Sequence, residues 1–62
     1  MASYWKWSCV VEANGRRQLV KDDAQGPDHA TEDKIRIGVE LLLDRAYPRG
    51  YVMTDFMATR IA

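Results

Sequence analysis

Asn14-Gly15 constrains this chain more than any other pair of residues in it. Both residue types accept the positive φ angles of a type I′ turn, and Asn-Gly between two alternating runs is the strongest short hairpin signal. In the run before it, Trp5, Trp7, Cys9, Val11 and Ala13 share one face while Tyr4, Lys6, Ser8, Val10 and Glu12 share the other. The face with both tryptophans is the expected core face. A first strand is predicted over about Tyr4 to Ala13, and a second over about Arg16 to Asp22.

Two registers satisfy this hairpin. A two-residue turn sets Ala13 opposite Arg16 and pairs Glu12 with Arg17, Val10 with Leu19 and Lys6 with Asp23. A bulge at Gly15 after a three-residue loop instead pairs Glu12 with Arg16, Cys9 with Leu19 and Lys6 with Asp22. Both match opposite charges, so charge pairing does not separate them. The bulged register is preferred here because it places Leu19 among the tryptophans.

Ala24-Gln25-Gly26-Pro27-Asp28 reads as a linker, since the residue before a proline is pushed out of helical geometry. A helix is expected to start near Asp28 or Thr31, either of which can cap it, with Glu32 and Asp33 near the positive end of its dipole. It runs to about Ala46 and stops before Pro48. At 100° per residue, Ile35, Val39, Leu42, Leu43 and Ala46 form one apolar sector with Gly38 at its margin. Gly38 invites two readings, a close approach by a tryptophan or a tolerated glycine. Ile37 and Leu41 form a second, narrower stripe that the same sheet cannot bury completely.

From Tyr51 to Ile61 the β-formers Tyr51, Val52, Thr54, Phe56, Thr59 and Ile61 favour a third strand. Met53, Met57 and Ile61 recur every four residues, and a terminal helix is the competing reading. The expectation is thus one α+β domain over residues 1–62, of order β-β-α-β, with an antiparallel three-stranded sheet and one helix on its Trp5/Trp7 face.

A domain of 62 residues buries only roughly 60% of the surface its unfolded chain exposes, so its core needs support. Cys9 is the only cysteine, which rules out an internal disulfide and an all-protein structural zinc site. Oligomerisation is the remaining supplement, and a homodimer is favoured. The start of the chain has no apolar segment behind a basic one, and no apolar run nears the length of a membrane span, so a cytoplasmic setting with no membrane contact is expected.

Charges cancel overall but are segregated. Residues 1–21 carry Lys6, Arg16, Arg17 and Lys21 against Glu12; residues 22–33 carry Asp22, Asp23, Asp28, Glu32 and Asp33 with no base; the remainder is net basic. Such a dipolar surface suits a protein partner with complementary patches, although scattered solubilising charge accounts for it equally well.

Catalytic equipment is sparse. The single histidine, His29, lies beside Asp28 in the acidic segment and could form an acid–base pair with Asp22 or Asp23. Polar residues gather at a helix start for capping alone, however, and the acids lack the alternating spacing of a calcium loop. The four glycines, at positions 15, 26, 38 and 50, are too dispersed for a phosphate loop. No catalytic residue, cofactor or metal is expected. An enzyme using His29 ranks third among the functional readings.

Trp5-Lys6-Trp7 with Arg16, Arg17 and Lys21 admits a nucleic-acid reading, since aromatic platforms between bases stack on single-stranded nucleotides. The core needs the same two tryptophans, so this reading ranks second. A single helix covers one sheet face only. The other face should present Tyr4, Val10 and Val20 with one or two apolar residues of the tail, and Ile37 and Leu41 add an exposed stripe. The expected contact residues are Ile37 and Leu41 flanked by Arg36, Glu40 and Arg45 on the helix, and Tyr4 and Val10 with Arg16 and Arg17 on the hairpin.

In size, balanced charge, lack of catalytic residues and α+β layout, the chain resembles the small inhibitor proteins carried by phages and mobile elements, of which anti-CRISPR proteins are a well-known group. The resemblance is one of profile across the whole chain, with no motif and no transferable site residue. It implies a non-catalytic protein that binds another protein as an inhibitor or adaptor.

Overall fold

The computed structural model describes residues 1–62. Its elements are β1 (Ala2–Ala13), β2 (Arg16–Pro27), α1 (Glu32–Ala46) and β3 (Val52–Arg60). They build a small α+β fold with one antiparallel sheet of order β2-β1-β3, so the Trp-bearing first strand is central.

The turn follows from its two residues. Asn14 has φ 54° and Gly15 φ 75°, as a type I′ turn requires at both central positions. Ala13 consequently faces Arg16, with Glu12 opposite Arg17, Val10 opposite Leu19 and Lys6 opposite Asp23. The bulged register is not formed. With both turn residues left-handed, no extra residue has to be absorbed, and Leu19 falls on the face away from the tryptophans. Val20 pairs with Cys9 and packs against the core instead of lying on the open face.

β2 is longer than its composition suggests and takes in most of the expected linker. Ala24, Gly26 and Pro27 pair with Trp5, Ser3 and Ala2. Gly26 suits a close approach here, because a Cβ on it would lie 3.1 Å from that of Ala30, which would have to give by a few tenths of an ångström. Ser3 seals this end: its hydroxyl donates to the Pro27 carbonyl at 2.6 Å and accepts from the Trp5 indole at 3.0 Å.

α1 is capped by Thr31, whose side chain accepts from the Lys34 amide, and it closes with the Tyr47 amide donating to the Leu43 carbonyl at 2.8 Å. Ile35, Val39 and Leu43 pack on Trp5, Trp7, Cys9 and Val11 to form the core. These three helical residues lie one turn apart in succession, a narrower contact than the expected sector. Leu42 and Ala46 are exposed. The hairpin register supplies the reason: on the helix side β2 presents Gln18 and Asp22, polar residues that α1 does not cover. Gly38 faces open space, with no atom within 4 Å of where a Cβ would stand, so no tryptophan approaches it.

β3 is the strand favoured over the terminal helix. It turns Met53, Phe56 and Ala58 toward the core and Val52, Met57 and Thr59 outward. The register shifts between Ser8 and Val10, where β3 holds one residue more than β1, and Asp55 takes φ 54° at this bulge. Only eight of the 62 residues are buried, a thin core for an independent domain. No helix is long and apolar enough to cross a membrane.

Candidate functional site

The outer face of α1 carries the first group of expected contact residues. Ile37 and Leu41 are one turn apart and directed away from the sheet, because the opposite side of the helix holds Ile35, Val39 and Leu43. They are 58% and 61% exposed, so the tail does not fold over them. Leu42, also 58% exposed, lies about 100° round the helix from Leu41, on the flank that borders a groove of about 380 Å³ between α1 and β2, which Trp7, Ala24 and Gly38 help to line.

Charged residues flank the stripe. Arg36 pairs with Glu40 at 3.2 Å, an exposed i,i+4 pair that contributes little to stability. The Arg36 guanidinium also lies 5.9 Å from the centre of the Phe56 ring, which ties this edge of the helix to β3. Arg45 is exposed in the last turn, where a cation suits the helix dipole.

The open face of the sheet carries the second group, in a different composition from that expected. Val10 is half-buried between Leu19 on β2 and Thr54 on β3. Leu19 and Met57 are each 65% exposed, and Val52 stands beside Glu12. Tyr4 is on the same face, six positions along β1 from Val10, or about 20 Å. Arg17 lies on this face opposite Glu12, whereas Arg16 projects to the helix side opposite Ala13. The expected contact residues are therefore divided between the outer face of α1 and the open face of the sheet, with Tyr4 remote from Val10 and Arg16 belonging to neither group.

Two apolar surface residues, Leu19 and Leu42, were assigned to the core by sequence. For Leu19 a signal existed: the two-residue turn alone puts β2's odd-numbered residues on the face opposite the tryptophans. For Leu42 the signal lay in Gln18 and Asp22, whose polarity keeps the helix off β2 and so uncovers that side of it.

Other groups considered by sequence are placed apart. Trp5 and Trp7 are 7% and 6% exposed and stack on the core side chains, which leaves no surface platform of paired indoles. His29 is exposed in the turn before α1. Its neighbour Asp28 is bound by Arg60, with Oδ1 3.0 Å from Nη2 and the backbone carbonyl accepting from Nη1 at 2.8 Å. Asp22 Oδ1 accepts from the Asp23 amide at 2.8 Å. No three His, Cys, Asp or Glu side chains gather as metal ligands. The thiol of Cys9 is buried, and burial raises its pKa, which disfavours the reactive thiolate.

Compared with known proteins, the chain matches no family model, no curated protein and no solved structure.

Proposed function

We propose that this chain is a non-catalytic protein-binding module, an inhibitor or adaptor of the type carried by phages and mobile elements, which also self-associates. The observation that carries the reading is the outer face of α1. Ile37 and Leu41 are both more than half exposed there, and Leu42 is equally exposed on the flank toward β2, in a molecule with a seven-residue apolar core. A surface that leaves so much aliphatic area in water on so small a protein is the usual mark of an interface. Arg36, Glu40 and Arg45 supply charges around it, where rim groups select partners and steer their approach.

Self-association is supported by the thin core and by the uncovered sheet face with Leu19, Val10, Val52 and Met57. A reducing, cytoplasmic setting agrees with a single buried thiol. The nucleic-acid reading keeps only the basic tip, Arg16 and Arg17, because the indoles it needs are buried.

The test is the double substitution Ile37→Ser/Leu41→Ser. Both side chains are exposed, so circular dichroism should show the helix and sheet intact while capture of a protein partner is lost. Unfolding of the variant, or an unchanged interaction profile, contradicts the assignment of this face.

A further inference from the structure

We infer that the outer edge of β2 is the self-association site, and that it pairs with the same edge of a second copy, antiparallel, with Val20 facing Val20 on the two-fold axis. This rests on the self-association proposed above and specifies where and in which register it occurs.

The edge is free and its hydrogen-bonding groups can be identified. Tyr4 directs both its N–H and its C=O to the end of β3, bonding Ala62 and Ile61. Alternation along β1 then sends the backbone groups of Trp5, Trp7, Cys9, Val11 and Ala13 to β2. Through the observed register, Arg16, Gln18, Val20, Asp22 and Ala24 point inward, and Arg17, Leu19, Lys21, Asp23 and Gln25 point out. β2 has no strand on that side. Of the outward amides, that of Asp23 donates to the Asp22 carboxylate.

The sheet's other edge differs. β3 is interrupted by the bulge at Asp55, a device that spoils an edge as a template, whereas β2 runs twelve residues without a register shift.

Charge and length of overlap together select the second copy and the register. Axes at Gln18 and Ala24 also avoid like charges, but they overlap only residues 16–20 and 21–27 of β2, against 16–24 for Val20. With Val20 on the axis, Leu19 faces Lys21, Gln18 faces Asp22 and Arg17 faces Asp23, each twice by symmetry. Every charged residue among these meets an opposite charge or a neutral group. Moving the axis to Leu19 sets Arg17 against Lys21, moving it to Lys21 sets that lysine against itself, and moving it to Asp22 sets two carboxylates together. Like charges directly opposed across strands destabilise pairing. The segment Arg17–Asp23, basic at one end and acidic at the other, is thus complementary to itself when reversed. The carboxylate of Asp22, exposed in the single chain, releases the Asp23 amide to the Arg17 carbonyl of the second copy and meets the Gln18 amide there. The product is a continuous six-stranded sheet with both helices on one side.

Hydrogen exchange on the unaltered protein reads the edge directly. Raising the concentration should slow the amides of Leu19 and Lys21 and leave outer-edge amides of β3, such as Met53 and Ala58, unchanged. Cross-linking reads the register. The axial pair is a non-hydrogen-bonded one, with Cα atoms about 4.5 Å apart, within disulfide reach. Val20→Cys is made with Cys9→Ala, because Cys9 lies opposite Val20 in the same chain. Mild oxidation should then give a disulfide-linked dimer, and Gln18→Cys in the same background should not. A dimer by sedimentation with unprotected Leu19 and Lys21 amides overturns the edge assignment and leaves self-association standing. Protection of those amides with cross-linking at Gln18 instead of Val20 overturns the register. A monomer at every concentration overturns both this inference and the reading beneath it. Should the cysteine variants fail to fold, the exchange pattern decides.

Discussion

The indole N–H of Trp5 donates to the hydroxyl of Ser3, two residues earlier on the same face of the central strand, at 3.0 Å. That hydroxyl in turn donates to the Pro27 carbonyl at 2.6 Å, so Ser3, with no exposed surface, is satisfied as both donor and acceptor. Removing it leaves a buried indole N–H without a partner, a loss of about 1–3 kcal/mol. Ser3→Ala should therefore lower the urea midpoint clearly, and Trp5→Phe should cost less in the Ser3→Ala background than alone. Trp5→Ala goes further, about 3–5 kcal/mol, enough to unfold a domain with so small a core. Blue-shifted tryptophan emission from the native protein, lost on unfolding, is the accompanying signature.

Gly38 occupies a helix interior with nothing near its missing side chain. Gly38→Ala should stabilise the protein by about 1 kcal/mol through helix propensity alone. A thermal melt showing destabilisation would mean that the space beside Gly38 is filled in solution, by a partner copy or by the groove closing.

Asp55 holds φ 54° at the bulge of β3. Asp55→Gly relieves a left-handed residue and should be neutral or stabilising by up to about 1 kcal/mol, whereas Asp55→Val should cost about 1–2 kcal/mol. Chemical denaturation of the pair of variants checks the order.

What the sequence disclosed and what it did not divide along a physical line. Asn14-Gly15 carries its own backbone preference, and alternation from Trp5 to Ala13 is a local pattern, so the hairpin, the core face and the three-strand, one-helix order were all legible. The hairpin register obeys the two left-handed turn residues, which outweigh the gain from burying the single leucine Leu19. The extension of β2 through Gly26 was hidden because a glycine and a proline usually punctuate; here the close approach of Ala30 and the hydroxyl of Ser3 keep the pairing going. The bulge at Asp55 left no trace, since aspartate is an ordinary strand-end or turn residue until its φ is known. On the candidate surface, Ile37 and Leu41 were legible from helical spacing. The exposure of Leu42 is legible only through the polarity of Gln18 and Asp22, once the two-residue turn has placed them on the helix side of β2.

Alkaline pH should loosen the fold. Burial raises the pKa of Cys9, and desolvation, followed by Asp44 and Glu40 nearby, raises that of Tyr51, whose hydroxyl donates to the Glu40 carbonyl at 3.2 Å. Both groups favour the neutral form in the folded state, so their contribution is complete below the ordinary thiol and phenol values and is lost as pH rises through the raised ones. Stability measured by denaturant titration should fall across that alkaline range, less so in Tyr51→Phe. A thiol reagent should label Cys9 only as fast as the protein unfolds.

This domain acts as a binding module that associates first of all with itself, through the open edge of β2. Sedimentation equilibrium of the unaltered chain from low micromolar to millimolar concentration tests this most directly. A reversible monomer–dimer equilibrium with the dimer dominant at the upper end is the predicted result, weakened modestly by added salt, which screens the two Arg17–Asp23 pairs but leaves the backbone pairing. A single species with the mass of one chain at every concentration, melting cooperatively, would contradict it.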